Sequence, residues 1–299
     1  MPLAVFPKCF IKALVSERTL SLDGWISMVA RDLDVDGLEF HIGFAPPTPE
    51  ERRRVRRTLA DNGLEAPMMA YAPNFIQTDP GRLEAEIAGQ KAAIEAIADL
   101  GGSYCRVLSG QWHPDVGKPE GLAMAAGAIR ECIPFAAKRG VRLVLENHYK
   151  ASFWKYPDFA WQTSDFLDLL SRIPADPNFG VNYDPSNALI SGDDPIALLE
   201  AVKHRVVTMH ASDRYFEGGG VEELRKLAQN PRDGYAPFLK HGVIGRGCVD
   251  YDRIFTILRD AKFQGWISIE DGDDPSVGMA HLQESAAFLR RKMAAFGLS

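Results

Sequence analysis

Short β-rich runs alternate with longer helical segments along the whole chain, and this alternation limits the choice of fold more than any other feature. The segments between the runs carry apolar residues three or four positions apart, which is typical of helices packed on a sheet. Alternating strands and helices predict a parallel sheet. The eight predicted strands cover residues 4–9, 37–41, 66–71, 104–108, 142–146, 180–183, 206–210 and 266–270.

Eight strand–helix units in 299 residues, without a Gly/Ser/Pro-rich linker, predict an α/β protein with a single (β/α)₈ TIM barrel over residues 1–299. A doubly wound open sheet is the main competitor. That fold calls for a glycine-rich turn directly after an early strand, and residues 9–12 and 108–111 contain no GxGxxG or P-loop pattern.

Two connections are long, residues 149–162 and 211–250. The first is rich in aromatic residues and the second contains the glycine run 218–220. Loops that follow barrel strands lie at the catalytic face, so both are predicted to border the active site.

The net charge of −6 argues against nucleic acid as a partner, because an acidic chain repels phosphate backbones. One basic run, residues 52–57, is predicted to be the solvated face of a helix. The four cysteines include no CxxC pair, which indicates reduced thiols. With no long apolar stretch and no secretory leader, we expect no membrane partner and a cytoplasmic location.

Each of the last four predicted strands ends in a residue that can bind a metal. Glu146, Asp184, His210 and Glu270 each terminate an apolar run. Each one alone is commonplace, since an aspartate before proline often caps a helix. Three carboxylates meeting at one barrel mouth would repel each other, and a divalent cation would remove that repulsion. Three oxygen ligands and one imidazole suit Mn²⁺, which we expect first, or Mg²⁺, Co²⁺ or Zn²⁺.

Five motifs resemble the xylose-isomerase-like superfamily of sugar and sugar-phosphate isomerases and epimerases. That group includes ketose 3-epimerases, hydroxypyruvate isomerase, inosose isomerase and dehydratase, and, more distantly, abasic-site endonucleases. The resemblance covers the whole chain and implies one metal on the four residues above, with Glu146 and Glu270 as the acid/base pair. The motifs are VLENH (144–148), NYDPSN (182–187), MHASDR (209–214), GRGCVDY (245–251) and GWISIEDG (265–272).

Two positions depart from the ketose epimerase pattern. Asn187 stands where several of those enzymes have a histidine, three residues after the metal aspartate. His148 follows Glu146 by two residues, so strand alternation places both side chains on one side. A second base near the metal would suit a related subset, the larger subunits of C-glycoside deglycosidases, which cleave 3-keto glycosides by β-elimination.

Other polar and aromatic side chains are predicted to contact substrate. Arg106 or Arg214 could hold an oxyanion through two hydrogen bonds, or form a structural ion pair. Trp112, with Trp154 and Trp161, could stack on a sugar or aglycone, or simply anchor its loop. The further candidates are Lys8, Glu39, His41, Asn187 and Asp213.

The leading hypothesis is therefore a metal-dependent isomerase or epimerase that acts on a keto-sugar or sugar phosphate through an enediolate. The alternative is a metal-dependent lyase on 3-keto glycosides with His148 as base, in which case a small partner subunit is expected; otherwise a homo-oligomer is the expected assembly. A non-catalytic sugar-binding barrel would leave the metal quartet unexplained. An abasic-site endonuclease is remote, because that activity typically needs a three-metal cluster with many more histidine ligands and a basic face, whereas this chain has seven histidines in all and a net charge of −6.

Overall fold

The structure, a computed structural model, describes residues 1–227, 235–272 and 274–298. Its barrel contains eight strand positions, the second of which is interrupted at Glu39. The strands are β1 (Leu3–Val5), β2 (Gly37–Leu38), β3 (Phe40–His41), β4 (Met68–Ala70), β5 (Tyr104–Val107), β6 (Arg142–Glu146), β7 (Phe179–Tyr183), β8 (Val206–Ala211), β9 (Asp213–Phe216), β10 (Leu239–Gly242) and β11 (Trp266–Ile269).

The barrel strands run parallel in the order β2-β1-β11-β8-β7-β6-β5-β4-β3. Since only Glu39 separates β2 from β3, the two ends of this order belong to one strand and the sheet closes on itself. All five residues of β7 are buried, as expected for a sheet whose two faces are both covered. The predicted (β/α)₈ barrel is confirmed.

Helices follow the barrel strands and pack around the sheet. They are α1 (Ile11–Val15), α2 (Leu22–Asp32), α3 (Pro49–Asp61), α4 (Pro80–Leu100), α5 (Lys118–Ala137), α6 (Thr163–Ser171), α7 (Pro185–Ile190), α8 (Pro195–Val202), α9 (Val221–Leu227), α10 (Tyr251–Asp260) and α11 (Pro275–Ala295).

Several helices begin with the same N-terminal cap. An aspartate or threonine side chain accepts a hydrogen bond from a backbone N–H, and a proline occupies the first helical position. This pairing satisfies an otherwise unbonded donor and presets the proline φ angle for the helix. It begins five helices: α3, α4, α7, α8 and α11. At the other end of α4, Gly101 adopts φ +88°, a conformation that disfavours side chains with a Cβ.

Two element predictions need correction. The predicted strand 4–9 ends at Val5, and residues Lys8–Phe10 form a 3₁₀ helix, because Pro7 lacks the N–H that a continuing strand would use. The connection 211–250, predicted as a long loop, contains α9 and an antiparallel ribbon of β9 and β10. Its residues 228–234 lie outside the described part of the chain.

The predicted basic run lies in α3, which buries Val55 and Leu59 and exposes most of its arginines. None of the four cysteines forms a disulfide in the described chain, and three of them are buried. Among the described residues, the helices are too short or too polar to span a bilayer.

Candidate metal centre and its cavity

The structure brings the four predicted metal ligands together at one end of the barrel. Glu146 ends β6, Asp184 follows β7, His210 lies near the end of β8 and Glu270 follows β11. These strands are neighbours in the sheet, so their carboxyl ends meet at the same edge. One oxygen or nitrogen from each residue lies within 4.8 Å of those of the other three.

The His210 ring is oriented by a carboxylate behind it. Its Nε2 lies 3.0 Å from Glu39 Oε2, and Glu39 is fully buried at the break between β2 and β3. The opposite nitrogen, Nδ1, lies 2.9 Å from Glu270 Oε2 and 3.3 Å from Glu146 Oε1. Metal-binding histidines usually donate their second N–H to such a carboxylate, which leaves the other nitrogen for the metal.

Glu146 is the most enclosed of the three carboxylates. Arg106 donates to its Oε2 at 2.9 Å and the Asn187 amide donates to its Oε1 at 3.1 Å. Burial by itself would raise the pKa of Glu146, but His210 and Arg106 outweigh it and lower the pKa to about 2. Glu146 is therefore a carboxylate at any physiological pH.

Asp184 caps α7 and contributes to the cluster at the same time. Its Oδ1 accepts from the backbone of Ser186 and Asn187 and from the Ser212 hydroxyl. Its Oδ2 accepts from the Asn187 amide at 2.9 Å. Burial, and after it the charges of Glu270 and Glu146, raise the pKa of Asp184 to about 6.

Glu270 is the carboxylate most open to solvent, with 16% of its side chain exposed. Lys8 Nζ lies 3.3 Å from its Oε1. Burial opposes ionisation, but Lys8 and His210 together hold the pKa of Glu270 well below its usual range.

The donor set fits a divalent cation. Three carboxylates and one imidazole converge, and the imidazole is held by Glu39. Burial, and after it the charges of Glu270 and Glu146, raise the pKa of Asp184, and a cation would neutralise those charges. Oxygen-rich sets with one nitrogen suit Mn²⁺, Mg²⁺, Co²⁺ and Zn²⁺.

A cavity of about 250 Å³ opens beside this cluster. That volume lies just below the range of about 300 to 1,000 Å³ typical of ligand pockets, so it suits only a small molecule. Of the metal cluster, Glu270 and Asp184 line the cavity. Its other polar lining residues include Lys8, His41, Arg106, His148, Lys150, Ser186, Asn187, Arg214 and His241.

His148 lies beyond the end of β6, and its ring lines the cavity with 12% of the side chain exposed. Its Nδ1 is shielded from solvent and lies 3.9 Å from Asp158 Oδ2. Trp154 packs edge-on against the ring. Burial is the main cause that lowers the pKa of His148 to about 4, although Glu146 opposes it. The imidazole is therefore neutral at physiological pH.

Asp158 is a functional candidate that sequence reasoning missed. It is buried in the connection after β6, where its Oδ1 accepts from the Ser109 hydroxyl and from the Ala160 N–H. Burial raises its pKa to about 7. It does not stand directly at the end of a predicted strand, so only the folded loop shows that it lies near His148.

The remaining substrate-binding predictions divide into two groups. Lys8, Arg106, Asn187 and Arg214 line the cavity. Asp213 does not line it. Its carboxylate accepts N–H groups from residues 245, 247 and 249, so it holds the loop that follows β10 in place.

The structure places the three predicted tryptophans in the loops, away from the cavity lining. Trp112 packs on Tyr156, and Trp154 and Trp161 are buried in the loop core. None of the three tryptophans lines the cavity, whereas Phe153 and Tyr235 do. These rings pack inside the loops, where a large aromatic side chain buries much apolar area.

With this geometry in place, comparison with known proteins defines the family. The sequence model of the xylose isomerase-like TIM barrel matches residues 28–292. The chain belongs to this family. Inosose dehydratase from Clostridium botulinum (strain Alaska E43 / Type E3) is 22% identical over 246 residues, which are 77% of this chain and 76% of the relative.

Solved structures share the fold of this xylose isomerase-like barrel. A D-tagatose 3-epimerase-like protein superposes with a TM-score of 0.75 at 16% identity, covering 99% of this chain and 98% of the other. The IOLI protein, solved with a bound zinc atom, superposes with a TM-score of 0.71 at 15% identity over 99% and 98%.

Proposed function

We propose that the protein is a divalent-metal-dependent lyase that removes the proton α to the carbonyl of a keto-polyol or keto-sugar and expels the β substituent. The observation that carries this proposal is the unequal access of the two glutamates. Arg106 and Asn187 donate hydrogen bonds to the two carboxylate oxygens of Glu146. Glu270 and the neutral imidazole of His148 instead line the cavity. Relatives named inosose dehydratase support elimination chemistry on a keto-polyol.

Glu146, Asp184, His210 and Glu270 would hold the metal, with Glu39 orienting His210. When bound, the metal supplies Lewis-acid polarisation of the substrate carbonyl, which makes the α proton removable. The zinc atom described for a protein of the same fold supports this assignment.

The chain's own residues then move the protons. His148 Nε2 accepts the α proton, and the electron pair of that C–H bond forms the double bond as the β carbon–oxygen bond breaks. Lys8, which lies in the same cavity, can donate a proton to the departing oxygen so that it leaves as water or an alcohol. Arg106 and Asn187 keep Glu146 in a fixed orientation during this sequence.

The second candidate is the isomerase or epimerase that the sequence favours. Glu146 and Glu270 both approach His210 Nδ1 from different strands, so two carboxylates flank the metal position. Proton transfer between them would need Glu146 to release either Arg106 from Oε2 or Asn187 from Oε1. A D-tagatose 3-epimerase-like protein shares the fold.

One experiment separates the two reactions. The protein is loaded with Mn²⁺, Mg²⁺, Co²⁺ or Zn²⁺ and incubated in D₂O with a panel of keto-polyols, 3-keto glycosides and ketohexoses. Proton NMR then follows the products. A lyase forms a vinylic proton signal and releases water or an aglycone. Deuterium at one carbon with inverted configuration, and no bond cleavage, would instead establish the epimerase.

A further inference from the structure

Two buried polar atoms, one of them on the cavity-lining His148, lack a hydrogen-bond partner in the described chain and lie close to each other. They are His148 Nδ1 and Asp158 Oδ2, which lie 3.9 Å apart. A hydrogen bond needs about 2.7–3.2 Å, so a shift of about 1 Å would join them. Catalytic hydrogen bonds are often long without substrate and shorten in the complex.

We propose that Asp158 is the positioning residue for the catalytic base, a role that rests on the function proposed above. Its carboxylate accepts the Nδ1–H of His148 and thereby leaves the lone pair on Nε2, the ring nitrogen that would meet the substrate. A histidine with the opposite tautomer would present an N–H there and could not accept a proton.

The loop holds Asp158 so that only one of its oxygens can serve His148. Oδ1 is occupied by the Ser109 hydroxyl and the Ala160 N–H. The backbone on either side is also fixed, because Asp158 N–H donates to Tyr149 O and Phe159 N–H donates to Gly110 O. Oδ2 therefore remains directed at the imidazole.

The carboxylate also compensates for the charge that proton transfer creates. When Nε2 takes the α proton of the substrate, the ring becomes an imidazolium while Nδ1 keeps its own proton. The buried Asp158 carboxylate, whose Oδ2 lies 3.9 Å from Nδ1, attracts that cation. Asp158 thus favours the protonated intermediate without touching the substrate.

Asp158→Asn tests the proposal with almost no change in shape. The amide oxygen can replace Oδ1 and keep the bonds from Ser109 and Ala160. The amide NH₂ then faces His148 Nδ1 and donates to it, which forces the Nε2–H tautomer. The tautomer is read from two-bond ¹H–¹⁵N correlations in zinc-loaded protein labelled with ¹⁵N-histidine at pH 8. The His148 signal is assigned as the one that is missing from the spectrum of His148→Ala.

We expect Nδ1–H in the wild type and Nε2–H in Asp158→Asn. An Nε2–H tautomer in the wild type would overturn the proposal, even if the variant failed to fold. This measurement needs no substrate, so it can fail while the proposed lyase activity stands, and it can succeed while that activity fails. Because burial raises the pKa of Asp158, we expect the neutral amide to leave the melting temperature at pH 8 unchanged or higher.

Kinetics provide the second measurement. With a substrate identified by the NMR panel, Asp158→Asn should lower kcat by about 10²-fold or more and leave KM nearly unchanged. Asp165→Asn is the matched control, because Asp165 is also a buried aspartate but pairs with Lys118 outside the cavity. It should keep the wild-type tautomer and kcat. Equal kcat values for Asp158→Asn and wild type would exclude the positioning role.

Discussion

The two walls of the cavity are built in different ways. On one side, the four residues of the metal cluster lie at the carboxyl ends of β6, β7, β8 and β11, and every one has a partner in the hydrogen-bond and ion-pair network. On the other side, His148 and Asp158 lie in the connection after β6, and the nitrogen and oxygen that face each other have no hydrogen-bond partner in the described chain. We call the first group the strand wall and the second the loop wall, although only Asp184, Glu270 and His148 among them line the cavity. The contact that is not made is the one between His148 and Asp158 in the loop wall.

This difference suggests a division of tasks. Strand ends position a metal accurately, because the barrel register sets them, and such a wall can serve many reactions on carbonyl compounds. A loop can change its residues without changing the barrel, so it can select which reaction follows. We therefore expect changes in the strand wall to abolish every activity, and changes in the loop wall to affect proton transfer alone.

The largest effect should come from the strand wall. His210→Ala removes a metal ligand and leaves Glu39 facing an empty space, so metal content and turnover should both fall to background. Metal content is measured by elemental analysis after dialysis, alongside activity. His204→Ala, an exposed histidine, is the control and should behave as wild type. A folded His210→Ala protein with full metal content would contradict the ligand assignment.

An intermediate effect should come from the loop wall. His148→Ala should keep its metal but lose about 10²–10⁴-fold in kcat, the usual cost of removing a general base. If His148 only hydrogen-bonds the substrate, as the epimerase candidate requires, the loss in kcat/KM should be about tenfold. Steady-state kinetics on metal-replete protein distinguish the two values. A loss in kcat/KM of only about tenfold would indicate that Glu270, and not His148, is the base.

The smallest of the three effects should come from Glu39, the carboxylate that contacts the metal ligand His210. Glu39→Gln keeps the shape of the side chain but weakens its hydrogen bond to His210 Nε2. Loss of such an outer partner typically costs about 10–100-fold in metal affinity. Competition with a chelator measures the affinity, and saturating metal should restore most of the activity. Unchanged affinity would mean that the Glu39 contact does not tune the metal ligand.

Much of the strand wall could be predicted from the sequence. Short β-rich runs located the strands and a period of 3.6 residues located the helices. Glu146, Asp184, His210 and Glu270 were found because each terminates an apolar run. In a parallel barrel, residues at successive strand ends must lie near one another, so local sequence was sufficient to bring the four together.

The loop wall was decided by the tertiary structure. Asp158, ten residues after His148, carries no periodic signal, and its approach to the ring depends on how residues 149–162 fold back onto Ser109. Asp213 and Trp112 have suitable side chains for substrate binding, yet the fold directs them into loop anchoring. Strand ends obey a repeating geometry that one-dimensional patterns encode, whereas loop side chains are placed by long-range contacts that no local pattern specifies.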